Sequence, residues 1–454
     1  MPDILIVILA VIFVLGIAIN IHEFGHFIVA KMFGMRVEAY SFFGLGPRIW
    51  GFKRGHTDYR ISAIPLGAYV KLYGDEATAS LEGGQSDNEP VPESELYELR
   101  PRWQKFLVML GGPFMNIVLA LAIPFGAALI YGIPSMPAPV VGVVAPGGAA
   151  EQAGIKVGDR IVSFDGTENP TWERVSNDSK VSPEKPIPVT VDRGGQKLQL
   201  TVAPGRTEID GNVIGELGLA PDAGVEPVEV GTIVGDKPAA TSGLQVGDRV
   251  LAFNGTTVRN RQELSMQIAD NKDAPARLTI ERSGQRHEIL TNATLDDDGK
   301  YRIGIGFNNA IITTREAVGV LGAASYAYNA NMEIVRLTGK VFGQMFSGQR
   351  SVKDAGLAGP VGIVQIISNV VTQAGFGGLM MILGVISLNL GIFNLLPIPL
   401  LDGGQIMVLG IEKVLSWFGK TLSMAFREKI QLAGLAVILL LMVFTLFLDI
   451  SRFF

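Results

Sequence analysis

The chain has 454 residues, 48% of them hydrophobic, and a mean hydropathy of +0.33 that is high for a soluble protein. Its length allows two or three folded units. A formal net charge of −5 gives no basis for nucleic-acid binding, and without cysteine there are no disulfides or thiolate metal sites.

Apolar character is concentrated in four blocks, at residues 4–30, 106–131, 375–396 and 430–448. Each is near the ~20 residues that cross a ~30 Å hydrocarbon core as a helix. The first block has no basic leader and runs into His22-Glu23, not into a small-residue cleavage site. It therefore reads as a spanning helix and not as a signal peptide. Lys and Arg gather after block one (Arg48, Lys53, Arg54 and Arg60 among them) and between blocks three and four (Lys413, Lys420, Arg427, Lys429). Positive flanks mark the cytoplasmic side, so both termini and the long middle section are expected on the opposite side of the bilayer.

Within the first block, His22-Glu23-Phe24-Gly25-His26 is an H-E-x-x-H motif. On a helix its two histidines share a face and can reach one Zn²⁺ at ~2.0–2.1 Å, with Glu23 beside them as general base. Ionisable groups inside an apolar helix are costly and are usually functional. His22 falls roughly 27 Å along the helix from Ile4, at 1.5 Å per residue, so the site is expected within the bilayer toward the cytoplasmic face. His56 and His287 fall outside the apolar blocks and read as ordinary surface residues.

The middle section is a duplication. Residues 140–166 and 229–255 align without a gap, pairing Gly154 with Gly243, Asp159 with Asp248, Phe164 with Phe253 and Gly166 with Gly255. A repeat of this length, with short alternating strands and Gly-Asp turns, predicts a small β-rich domain present twice. The shared string resembles PDZ domains. That resemblance implies carboxylate-binding loops near residues 214–219 and 303–307, where a peptide would add as a strand. A domain that only fills space would have the same sequence pattern.

Two histidines do not complete a catalytic zinc site, which usually has three protein ligands. Asp402 is the best third candidate, in the run from Asn394 to Gly404 that contains Pro397 and Pro399. The prolines must break the third apolar helix near its cytoplasmic end. Gly403 and Gly404 are expected to allow a tight turn that aims the carboxylate back at the metal.

His22-Glu23-x-x-His26 together with Asn394-x-x-Pro-x-Pro-x-x-Leu-Asp402-Gly resembles the paired signature of site-2 proteases, which are intramembrane zinc metalloproteases. Gly112-Pro-Phe-Met-Asn116 and Gly359-Pro-Val-Gly-Ile363 agree with it, and the likeness extends over nearly the whole chain. The resemblance implies one zinc ion on His22, His26 and Asp402, with Glu23 as base and Asn394 contacting the substrate or the developing oxyanion. It implies a bacterial inner-membrane enzyme whose partners are the lipid bilayer and single-span membrane proteins. Its substrates would be an anti-sigma factor already trimmed outside, and remnant signal peptides. The segment from Gly44 to Val70 looks like the family's membrane-associated β-hairpin, whose edge would pair with an unwound substrate.

The expected fold is thus a multi-pass α-helical membrane protein of four transmembrane helices, with a membrane-associated β-hairpin and two PDZ-like domains. The first span covers 1–34, the hairpin and an acidic loop (75–98) lie in 35–103, and the second span covers 104–136. The PDZ-like domains take 137–221 and 222–309. A linker with an amphipathic segment follows at 310–374, then the third span at 375–404, a cytoplasmic loop at 405–429, and the fourth span with its tail at 430–454. Two rivals are a membrane hydrolase acting on lipid and a scaffold with an inactive metal site. Tandem peptide-binding domains weigh against the first, and the complete Glu23 and Asp402 set weighs against the second.

Overall fold

The computed structural model describes residues 4–64, 67–74, 91–135, 138–209, 212–222, 224, 228–296, 301–307, 315–356, 358–420 and 422–451. Most of the acidic loop expected at 75–98 lies outside them. Chain contacts divide the protein into two compact units. One comprises Met1–Ile133, Ala317–Arg336 and Leu357–Phe454, and the other Pro134–Glu316 and Leu337–Gly356.

The first unit is built on helices α1 (Ile4–Met32) and α2 (Arg102–Tyr131), with a four-stranded sheet between them in sequence. Ile4–Met32, Arg102–Tyr131, Ala374–Asn394 and Lys429–Ile450 are long and apolar enough to cross a membrane. α1 and α2 meet backbone to backbone. A Cβ on Gly25 would collide with the Gly111 carbonyl and lie 2.8 Å from the Gly112 nitrogen. Small residues allow this approach where apolar surroundings offer no hydrophobic drive to pack.

The segment expected as a hairpin contains one, Leu45–Arg54 antiparallel to Thr57–Ile64, within a larger sheet. Strands β1 (Val37–Ser41), β2 (Leu45–Arg54), β3 (Thr57–Ile64) and β4 (Tyr69–Leu72) form a sheet in the order β2-β3-β1-β4, with β1 parallel to β3. The pleat gives it an aromatic face. Phe52 stacks on Tyr59 at 5.3 Å, and Phe27 of α1 stacks on Tyr40 at 5.0 Å. β4 is an edge strand.

The second unit holds the duplication. The first copy carries strands β5 (Val141–Val144), β6 (Arg160–Phe164), β7 (Ile187–Arg193), β8 (Gln196–Val202) and β9 (Leu219–Pro221), with helix α3 (Trp172–Lys180) after β6. The second repeats this as β10 (Val228–Ile233), β11 (Arg249–Phe253), α4 (Arg261–Asn271), β12 (Ala276–Arg282), β13 (Gln285–Thr291) and β14 (Ile305–Phe307). Matching residues do matching work. Thr171 and Asn260 cap the two helices by accepting from a backbone N–H three residues on. Asp165-Gly166 and Asn254-Gly255 both take positive φ at their turns, which Asp, Asn and Gly tolerate best.

The Gly-Asp turn owes its place in both copies to an ion pair. Arg193 donates to both Asp159 oxygens at 2.7 Å and to the Gly154 carbonyl, while the Lys156 N–H also bonds Asp159. Arg282, Asp248, Gly243 and Gln245 repeat every one of these bonds. The first copy is further tied to residues 337–356, where Lys340 pairs with Asp165 and Asp178.

From α5 (Val320–Phe346) the chain reaches α6 (Pro360–Asn394), whose backbone breaks at Gly375 (φ 57°). The stretch read as a cytoplasmic loop contains a helix, α7 (Asp402–Trp417), before α8 (Met424–Ser451). The Gly359–Ile363 motif starts α6. Asp449 of α8 accepts N–H bonds from Gly359 (3.0 Å) and Gly362 (2.9 Å), capping one helix from another.

Burial alone would raise the Asp159 and Asp248 carboxyls, but the arginine bonds and backbone N–H groups hold both below the usual carboxylate range. Their stabilisation is therefore complete above the unfolded-state value and is lost as pH falls through the folded one. Asp248→Asn should speed amide exchange in β12 by roughly 5–30-fold, the range one lost buried interaction carries. β7 of the first copy serves as the internal control and should not change.

Candidate metal centre

α1 carries His22 and His26 one turn apart on a buried face. Their side-chain nitrogens and a carboxylate oxygen of Asp402 lie within 4.8 Å of one another, three donors on two helices far apart in sequence. His22 Nε2 is 3.1 Å from Asp402 Oδ2, His26 Nε2 is 3.4 Å from Oδ1, and the two Nε2 atoms are 3.2 Å apart. Among the described residues, Asp402 Oδ2 is buried and has no donor near it other than the His22 nitrogen. A buried oxygen without a donor is costly, and a cation held among these lone pairs would satisfy it. The donor set thus fits zinc.

Asp402 arrives by a route other than the expected glycine turn. α6 ends at Asn394, and after Pro397 and Pro399 the backbone turns through Leu400 at φ 81° before α7 begins at Asp402. Gly403 and Gly404 are the next residues of α7 and have no positive φ. They are needed for space: a Cβ at Gly403 would strike the Leu395 carbonyl, and one at Gly404 the Ile398 carbonyl. The turn depends on a strained leucine, and the glycines let the new helix lie against the loop it leaves.

A cavity of about 310 Å³ opens beside the cluster, lined by Glu23, Val70, Asn394 and Gln405 among others. Val70 of edge strand β4 lines the cavity together with Glu23. Asn394 Nδ2 reaches to 3.4 Å from His22 Nε2. All five residues singled out from the sequence, His22, Glu23, His26, Asn394 and Asp402, therefore line one cavity. His56 and His287 are exposed elsewhere.

Other participants come from α2. His26 Nδ1 donates to the Val108 carbonyl at 2.7 Å, which leaves Nε2 bare for a metal. Gly112 lies beneath both imidazoles, and a Cβ there would be 2.8 Å from His22 Nε2 and closer still to His26 Nε2. Asn116 contacts His22 from the far side. Val108, Gly112 and Asn116 are four apart, so one stripe of α2 faces the motif on α1. Only the glycine and asparagine of the second apolar block hinted at this in the sequence. Nothing there signalled a main-chain carbonyl.

Donors for one cation, two of them on a membrane-length helix, with an acid beside them and an open cavity, define a metalloprotease of the membrane type. The chain belongs to peptidase family M50, the site-2 proteases, whose pattern it matches over residues 10–441. It is 32% identical to the regulator of sigma-E protease RseP of Salmonella typhimurium, over 98% of both chains. The Escherichia coli protein of that name is 30% identical over 96% of this chain and 97% of its own. A Vibrio cholerae relative described as a zinc metalloprotease is 30% identical over the full length of both. A solved PDZ domain of an SdrC-like protein from Listeria monocytogenes is 24% identical, covering 18% of this chain and 86% of its own at a TM-score of 0.17. The protein is a zinc-dependent protease.

Gly112→Ala should weaken zinc binding by at least roughly tenfold, the scale of a lost outer-shell contact, although no ligand is changed. Gly126→Ala, on the same helix with nothing within 4 Å, should bind zinc normally. Zinc content after chelator competition separates the two.

Proposed function

We propose that this chain is an intramembrane endopeptidase that cuts single-span membrane proteins. One observation carries the reading: two histidines on a helix apolar enough to cross a bilayer converge with an aspartate of α7 beside a cavity. His22, His26 and Asp402 hold the zinc, which supplies Lewis-acid chemistry by polarising a carbonyl and acidifying water. Glu23 takes the proton of the attacking water on its carboxylate and passes it to the leaving amine. Val70 of β4 lines the same cavity as that carboxylate. Asn394 offers an uncharged N–H to the oxyanion. Edge strand β4 accepts the unwound substrate as an added strand, since a helical peptide bond is shielded from attack.

The four apolar helices span the inner membrane, with both termini and the duplicated domains on the periplasmic side. The substrates are an anti-sigma factor trimmed of its outer domain, and remnant signal peptides. The names of the Salmonella and Escherichia relatives support the first. The duplicated domains are PDZ-like and act as a gate against bulky substrates more than as a reader of peptide ends. In the first copy, a cavity of about 480 Å³ runs between α3 and residues 215–220, and Arg261 and Met266 of the second copy also line it. A groove walled by a neighbouring domain is less open to a peptide end, which favours the gate.

Glu23→Gln should retain zinc yet lose turnover of a short single-span substrate by roughly 10²–10⁴, the contribution of a general base. Full proteolysis by this variant would overturn the mechanism. Removing residues 139–307 should permit cleavage of a substrate that still carries its outer domain. If the zinc-loaded deletion instead fails on pre-trimmed substrate, capture by the PDZ-like grooves is the better account.

A further inference from the structure

The two zinc-binding histidines differ in what holds their outer nitrogens. His26 Nδ1 faces the Val108 carbonyl, which can only accept, so its proton has one possible place. His22 Nδ1 faces a side-chain amide, Asn116, which can present either end. Asn116 is fully buried on α2 and is in turn contacted by Ser387 of α6, also fully buried. The Ser387 hydroxyl donates to the Asn116 main-chain carbonyl at 2.9 Å and lies 3.3 Å from its side-chain oxygen. Three spans therefore meet in one polar chain, His22–Asn116–Ser387, enclosed in apolar helices where an unpaired group is expensive.

The geometry points to Asn116 as a positioning residue that sets the tautomer of His22, its amide oxygen taking the Nδ1 proton when Nε2 binds the metal. A neutral imidazole carries one proton. An amide N–H offered to Nδ1 would send that proton to Nε2 and block it as a ligand. With the amide nitrogen at 3.2 Å from Nδ1 and the oxygen toward Ser387, a half-turn of the amide exchanges the two ends. The oxygen then accepts Nδ1–H and the amide N–H donates to the Ser387 oxygen. Ser387 keeps its own bond to the Asn116 carbonyl. The Ser387 hydroxyl and one amide N–H have partners in either arrangement, so one hydroxyl supports the amide both ways. A ligand histidine held by an acceptor on its second nitrogen is oriented and made more basic.

This inference rests on His22 being a ligand, and the test separates the two ideas. Zinc affinity of the full-length protein is measured by competition with a chelator, alongside the melting temperature of the metal-free protein. Asn116→Leu removes the acceptor at similar volume and should weaken zinc roughly 10–100-fold. Asn116→Asp keeps an oxygen for Nδ1–H and should bind zinc close to the native affinity. Ser387→Ala should cause a smaller loss. Should Asn116→Leu fail to accumulate, Asn116→Ala makes the same comparison. A residue that only packs would rank the buried aspartate below leucine and would lower the melting temperature of the metal-free protein in step with zinc affinity. That order, or native affinity in Asn116→Leu, overturns the proposal. If His22→Ala itself binds zinc normally, the ligand assignment falls instead.

Discussion

The close approach of α1 and α2 governs the rest of the site. At Gly25 and Gly111 the helices touch through their backbones, and at Gly112 the backbone meets the two imidazoles, without room for even a methyl group. A side chain there would move the helices apart and separate the imidazoles from everything that holds them. Because the approach is so close, the Val108 carbonyl reaches His26 and the Asn116 amide reaches His22. Two ionisable side chains in an apolar helix are then supplied with partners from one stripe of the neighbouring helix.

The third donor enters by a break in regularity. α6 stops at Asn394, and the chain crosses two prolines and a left-handed Leu400 before α7 starts at Asp402. Irregular backbone among apolar helices survives only where it is buried or lines a polar cavity, and here it lines the cavity beside the metal donors. The same break frees Asn394 and Asp402 to face His22 from one side while α2 faces it from the other. On the cavity's remaining wall, β4 brings Val70 and Leu72 beside Glu23.

The duplicated unit shows a different economy. Its two copies share an Asp–Arg clamp, helix caps and turn residues at matching positions, so each copy folds on local and short-range interactions of its own. They differ in what surrounds them. Only the first copy has Lys340 paired with its Asp165 and Asp178.

How much of this was legible beforehand follows from the range of the interactions involved. The apolar blocks, the H-E-x-x-H spacing and the repeat are local patterns, and local periodicity determined the helices, the shared face of His22 and His26, and the β-rich copies. Asp402 was legible because proline and glycine mark a break wherever they fall. The role of its glycines differs from the expected turn, since the sequence shows that a glycine is present but not whether φ or space requires it. The sheet exceeds the expected hairpin by two strands, because parallel pairing of β1 with β3 depends on a register that no local signal carries. The Val108 carbonyl, the Gly112 floor and the His22–Asn116–Ser387 chain were decided by tertiary structure alone. They are contacts between segments 82 to 271 residues apart, and a backbone carbonyl or a missing Cβ acquires its role only from what packs against it.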